Sequence, residues 1–270
     1  MDIKQLSNQL CYVTLPLWVK RRNNSNSFGT GFVFNHFIEK DRGIPFIVTN
    51  FHVIESGNSV ITEFIKSENG NPSNKGKIKV EIPLNELDIL GSKELDLCVI
   101  PIGHILYKLK NENNEVFYIG VDKNIIPDTR SINELTALEE IIFIGYPNAI
   151  YDSKTNSPII RRGITATPLW NDFNGEKSFL IDAGVFPGSS GSPVFIFNQG
   201  SYATNNGIHL GSRLLFIGVL TSSNIGTLEE NNKYFVGLGN VVKAKVLTEF
   251  IEEVSGRLLN KANWKHSFVL

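Results

Sequence analysis

The chain has 270 residues, 41% of them hydrophobic, enough for one large core or two modest ones. Its 26 basic and 27 acidic residues are well mixed and leave a formal charge of -1, which excludes the strong field that a nucleic-acid or anionic-membrane partner requires. No run approaches the roughly 18 apolar residues of a spanning helix, and with only Cys11 and Cys98 the chain is not a disulfide-built scaffold.

At the start of the chain Asp2, Lys4, Gln5, Asn8 and Gln9 interrupt any apolar stretch of signal-peptide length. With both thiols read as reduced and buried, this sets the expectation of a cytoplasmic protein. From there the texture is of short apolar or alternating runs rich in Val, Ile and Phe, at 29–37, 44–54, 95–102, 139–147, 177–186, 192–197 and 214–222. Many short strands separated by Gly, Pro, Asn and Ser predict an all-β barrel or sandwich. Two segments break the pattern before the end: 66–77, polar with Gly and Pro, predicts an exposed loop, and the irregular stretch 105–137 predicts a crossover between two lobes. Near the C-terminus Val242, Val246, Leu247, Phe250, Ile251 and Val254 recur at spacings of three and four, which predicts one helix packed on the barrels.

Three elements can carry chemistry. In Pro187-Gly188-Ser189-Ser190-Gly191-Ser192-Pro193 a glycine-flanked turn exposes a serine hydroxyl, and the backbone N–H groups of Gly188 and Ser190 can converge on a developing oxyanion. The apolar run Ile47-Val48-Thr49-Asn50-Phe51-His52 delivers a histidine at a strand end, where a general base gains a fixed position. In Leu95-Asp96-Leu97-Cys98-Val99-Ile100 a carboxylate leads an apolar run and asks for a partner such as an imidazole N–H, since burying it unpaired costs several kcal/mol. Taken singly, each has a plainer reading: a Gly/Ser-rich hairpin, a structural histidine, a turn-capping aspartate. Their order His52, Asp96, Ser190 differs from that of the α/β-hydrolases, and Ser192-Pro193 followed by a strand-like run denies the G-x-S-x-G elbow.

These motifs resemble the trypsin-like, chymotrypsin-fold serine peptidases, especially the bacterial branch poor in disulfides. Gly29-Thr30-Gly31-Phe32-Val33 is similar to the family's glycine-rich strand, Thr49-Asn50-Phe51-His52-Val53 to its histidine motif, and Gly188 to Pro193 to its serine motif. Gly145-Tyr146-Pro147, Arg162-Gly163 and the segment 238–244 add to the likeness, which runs from about residue 10 to 255. The resemblance implies two six-stranded antiparallel β-barrels with a C-terminal α-helix: an N-terminal barrel over 1–120 with His52 and Asp96, a second barrel over 121–240 with Ser190, and a helix and tail over 241–270. It implies a serine endopeptidase acting on peptide or protein through a His52-Asp96-Ser190 triad and an acyl-enzyme, an oxyanion hole from Gly188 and Ser190, and no cofactor or metal. Gly184, Val185, Thr221, Ser222 and Ser223 would line the first specificity pocket. None of these is acidic or histidine, so the expected side chain is small to medium and apolar, or polar and uncharged.

Ser189 stands where secreted trypsins carry the aspartate that pairs with a new N-terminus, so the expectation is activity without N-terminal processing, or control by a regulatory protein partner. The rival reading from another class is a catalytically silent, protease-like binding or scaffold domain. Metal binding is disfavoured because His36, His52, His104, His209 and His266 are scattered without ligand-type spacing.

Overall fold

The computed structural model describes residues 5–21, 26–40, 42–85, 90–205, 207–227 and 233–260, the side chains of 223–227 and 233–235 excepted. Sixteen strands occur in it. The first eight are β1 (Thr14–Arg21), β2 (Asn26–Glu39), β3 (Arg42–Thr49), β4 (Gly57–Glu68), β5 (Asn71–Pro83), β6 (Gly91–Ser92), β7 (Leu97–Pro101) and β8 (Val116–Phe117). They form one antiparallel sheet in the order β5-β4-β1-β2-β3-β7-β6, with β8 beside β4 beyond the point where β1 ends.

The second eight are β9 (Glu140–Gly145), β10 (Ile159–Thr165), β11 (Ser178–Asp182), β12 (Pro193–Asn198), β13 (Ser201–Thr204), β14 (Gly207–Leu210), β15 (Arg213–Thr227) and β16 (Lys233–Lys243). Six of them close a barrel in the order β10-β11-β16-β15-β12-β9, while β13 and β14 make a separate hairpin. The architecture is therefore mostly β with one closed six-stranded barrel, and the expectation of two closed barrels is met only in the second lobe. Among the described residues the first sheet stays open, because β6 is two residues long, pairs only with β7 and offers no edge on which β5 could close.

One further expectation needs correction. Residues 66–77 are not a loop: they lie in the β4–β5 hairpin, which pairs from Ser59↔Pro83 out to Glu68↔Asn71 with one shift of register between Ile65 and Ser67. The turn is Asn69-Gly70, both at positive φ (51° and 74°), which is the two-residue geometry matching strand twist. The stretch 105–137, expected as an irregular crossover, carries most of the helix Gly103–Asn111, then β8 and the short helix Thr129–Glu134.

The core follows the alternation of the strands. One cluster joins the first sheet to the outer side of the barrel, with Phe216 ringed by Phe32, Phe34 and Phe195 at centroid distances of 5.4, 6.4 and 5.6 Å. Each such fully buried ring contributes about 1.5–3 kcal/mol through the hydrophobic effect. The C-terminal helix Ala244–Asn260 buries Val246, Leu247, Phe250, Ile251 and Val254 in the same cluster, as their spacing predicts, whereas Val242 belongs to β16. The expected tail after residue 260 lies outside the described residues. A second cluster, around Phe143, Phe179, Ile181, Val194 and Val241, fills the barrel interior. No helix among the described residues is long and apolar enough to cross a membrane.

Candidate active site

β3 runs apolar through Ile47 and Val48 and ends at Thr49; Asn50 then leads into a one-turn helix, Phe51–Ile54, which carries His52. Asp96 occupies the turn just before β7, the neighbour of β3, so the sheet itself brings the two together. Oδ2 of Asp96 lies 2.7 Å from His52 Nδ1, and Oδ1 accepts the His52 backbone N–H at 3.0 Å. A carboxylate on Nδ1 makes that nitrogen the donor and leaves Nε2 as the acceptor. Asn50 Nδ2 donates to the Asp96 carbonyl at 2.8 Å, a contact that sequence reasoning did not foresee. Asp96 sits at φ 50°, the left-handed region that aspartate tolerates better than most residues. The side chains of His52 and Asp96 are 46% and 30% exposed, so the pair adds little to stability; its effect is to orient an imidazole that solvent can reach.

The serine turn is built around two glycines at positive φ, Gly188 (90°) and Gly191 (87°). Gly191 also cannot carry a side chain, because a Cβ would fall 2.0 Å from the Thr30 carbonyl oxygen. Thr30 clamps this turn. Its backbone N–H donates to the Ser190 carbonyl at 2.9 Å, its hydroxyl donates to the Gly188 carbonyl at 2.8 Å, and the same hydroxyl accepts the Tyr146 N–H at 3.0 Å. Thr49, three residues before His52, donates its hydroxyl to the Thr30 carbonyl at 2.8 Å. The histidine and serine segments are thus cross-linked through one buried threonine of β2.

Within the turn, the N–H groups of Ser189 and Ser192 are taken by Phe186 and Ser189 carbonyls, while those of Gly188 and Ser190 have no acceptor among the described residues. That leaves the pair available to an incoming oxyanion. Ser190 Oγ donates to the Thr221 carbonyl at 2.9 Å, and no hydrogen bond joins it to His52. Ser189 is fully buried, and its hydroxyl lacks a partner among the described residues.

Residues 29–202, more than half of the chain, match a family model described as the trypsin-like peptidase domain. The chain belongs to the trypsin-like peptidase family. Its fold is similar to that of a serine endoprotease from Yersinia pestis, with 16% identity and a TM-score of 0.52 over 94% of this chain and 66% of that one. It is also similar to AlgW, an HtrA-type protease solved with a tripeptide, with 14% identity and a TM-score of 0.50 over 91% of this chain and 61% of that one. At such identities the likeness concerns the fold alone, and this chain spans less than two thirds of either protein. No curated protein sequence matches it.

For a trypsin-like domain the remaining expected site residues fall as follows. Gly184 and Val185 lie between β11 and the serine turn; Val185 is buried and packs where Gly239 of β16 leaves room, with its Cγ2 2.7 Å from where a Cβ would stand. Thr221 and Ser222 lie on β15, with Thr221 supplying the carbonyl that holds Ser190; the backbone of Ser223 pairs with Gly239, and its side chain lies outside the described residues. The other histidines stand apart, His36 on β2, His104 on the helix Gly103–Asn111 and His209 on β14, and His266 lies outside the described residues. Cys98 is buried on β7 and unpaired, and burial pushes its thiol pKa far up, so it is no rival nucleophile; Cys11 is free and half-buried.

Proposed function

We propose that the chain is a serine endopeptidase with Ser190 as nucleophile, His52 as general base and acid, and Asp96 as the residue that orients the imidazole. The observation that carries this reading is the grip of Asp96 on both the ring and the backbone of His52, on a member of the trypsin-like family. In this mechanism Ser190 Oγ leaves the Thr221 carbonyl, gives its proton to His52 Nε2 and attacks the scissile carbonyl. The N–H groups of Gly188 and Ser190 receive the oxyanion, and the imidazolium, stabilised by Asp96, protonates the leaving amine. Water then repeats the sequence on the acyl-enzyme with the proton path reversed. No metal or cofactor enters these steps.

A second reading, a silent binding or scaffold domain, draws on the Ser190 hydroxyl being bonded to Thr221 and not to His52. A fluorophosphonate, which needs an activated serine, separates the two: covalent labelling at Ser190 supports the peptidase, and a protein that stays unlabelled under every substrate and pH supports the scaffold. The free thiols of Cys11 and Cys98 support a reducing compartment, the cytoplasm, as the place of action. There a peptidase needs restraint, and control by a protein partner that moves Ser190 off Thr221 belongs to the same proposal.

A further inference from the structure

A cation stands where the sequence suggests a neutral pocket. On β10 the residues Ile160, Arg162 and Ile164 are exposed, so the period of two turns Arg161 inward together with Ile159, Gly163 and Thr165. Arg162 pairs with Glu140 on the outside, while Arg161 sits opposite Phe143 of the barrel interior. The half-buried guanidinium of Arg161 reaches the segment that precedes the serine turn. A Cβ on Gly184 would lie 2.3 Å from Arg161 Nη2, and the guanidinium carbon is 5.1 Å from the centre of the Phe186 ring. Glycine at 184 therefore opens the space the arginine occupies. No carboxylate among the described residues lies within salt-bridge distance of Arg161, unlike Arg162 and Arg213, which have Glu140 and Glu139.

The position matters because the same segment leads directly to Ser190. Val185 packs on Gly239, Gly239 pairs with Ser223, and Thr221 on that strand holds Ser190 Oγ. The guanidinium thus lies against Gly184 and Phe186, in the segment that runs through Pro187 and Gly188 into Ser190. A partly desolvated guanidinium without a counter-charge favours a carboxylate, to which it offers two parallel N–H donors.

We propose that Arg161 is the specificity-determining residue of this site and selects an acidic side chain, Glu or Asp, at the residue whose carbonyl Ser190 attacks. The inference rests on the peptidase reading for its substrate, and it replaces the neutral preference expected from residues 184, 185 and 221–223 with an anionic one.

The test uses peptides that differ only at that residue, carrying Glu, Asp, Gln, Leu or Lys. Cleavage is measured as kcat/KM on the wild-type chain, and binding by fluorescence anisotropy on Ser190→Ala, each with and without Arg161→Ala, and with Arg161→Lys as the charge-retaining control. The expected result is a preference for Glu or Asp over Gln of roughly 10- to 100-fold, the scale of a charge-assisted hydrogen bond. Arg161→Ala should bring that ratio close to one, and Arg161→Lys should keep part of it. A ratio that Arg161→Ala leaves unchanged, or a wild-type preference for a neutral or basic side chain, overturns the proposal, as does failure of Ser190→Ala to bind any acidic peptide. Acidic peptides that bind through Arg161 without being cleaved would instead sustain the pocket and defeat the peptidase reading.

Discussion

Asp96 holds His52 at two points, with Oδ2 2.7 Å from the ring Nδ1 and Oδ1 accepting the backbone N–H at 3.0 Å. One carboxylate therefore fixes both the orientation of the imidazole and the one-turn helix that carries it. Asn50 fixes Asp96 in turn through its carbonyl, so three residues just beyond the adjoining ends of β3 and β7 form a closed set.

Asp96→Asn separates the charge from the geometry. Asparagine tolerates φ 50° as well as aspartate does, so thermal unfolding should shift little, while an amide that no longer dictates the Nδ1–H tautomer should lower kcat by about ten-thousand-fold. Asp96→Ala should lose activity similarly and stability as well. A kcat for Asp96→Asn within about tenfold of wild type would remove Asp96 from the triad.

Thr30→Val keeps the shape of the threonine and removes its hydroxyl. The buried Tyr146 N–H and the Gly188 carbonyl would then lose their partner, at a cost of about 1–3 kcal/mol for each group left unsatisfied. Denaturant unfolding should show this loss, and the serine turn, released from its clamp, should label more slowly with a fluorophosphonate. Thr30→Ser should restore most of both. Equal stability of Thr30→Val and wild type would mean that the clamp is dispensable.

A buried ion pair in the second lobe tests the packing independently of the site. Arg213 Nη2 lies 2.5 Å from Glu139 Oε2 with the two side chains 10% and 6% exposed, and the guanidinium stacks 4.4 Å over the Tyr202 ring. Removing one partner strands a buried charge, so Arg213→Ala should destabilise the fold by about 3–5 kcal/mol. The double variant Arg213→Met with Glu139→Leu should recover much of that loss. A single variant as stable as wild type in urea would contradict the burial of this pair.

The texture of the sequence made the strands legible, because inward residues such as Phe32, Phe46 and Phe195 alternate with more exposed ones or sit in fully buried runs. The segments that carry His52, Asp96 and Ser190 stand out in the sequence as well, since each couples a polar residue to an apolar run. Other features were hidden for physical reasons. The distal β4–β5 hairpin is largely exposed along Asn71–Lys77, so its composition is that of a loop, although Asn69-Gly70 carries the signature of a tight hairpin. Thr30 looked like part of a glycine-rich strand, and only the fold shows that its hydroxyl bridges two lobes. Arg161 adjoins Arg162, and strand alternation requires one of two neighbouring arginines to face inward, a signal that the sequence carries in the pair itself.

His36 gives the fold a pH dependence. Burial lowers its pKa below the ordinary 6.5, the largest influence, with Lys123 acting in the same direction and Glu252 against it. The unfolded chain therefore binds the extra proton first, so stability is full above pH 6.5 and is lost as pH falls through the window beneath it. His36→Gln should flatten this part of the stability profile measured by urea denaturation between neutral and mildly acidic pH. A slope unchanged by the substitution would assign the effect elsewhere.

The central claim is that Ser190 is an activated nucleophile served by His52. Its most direct test is to treat the wild-type chain, Ser190→Ala, Ser189→Ala and His52→Ala with a fluorophosphonate probe and to locate the adduct by mass spectrometry. The account predicts one adduct on Ser190, present in wild type and Ser189→Ala, absent in Ser190→Ala and slowed by about a thousandfold or more in His52→Ala. An adduct on another residue, or labelling of Ser190 that is indifferent to His52, would contradict it.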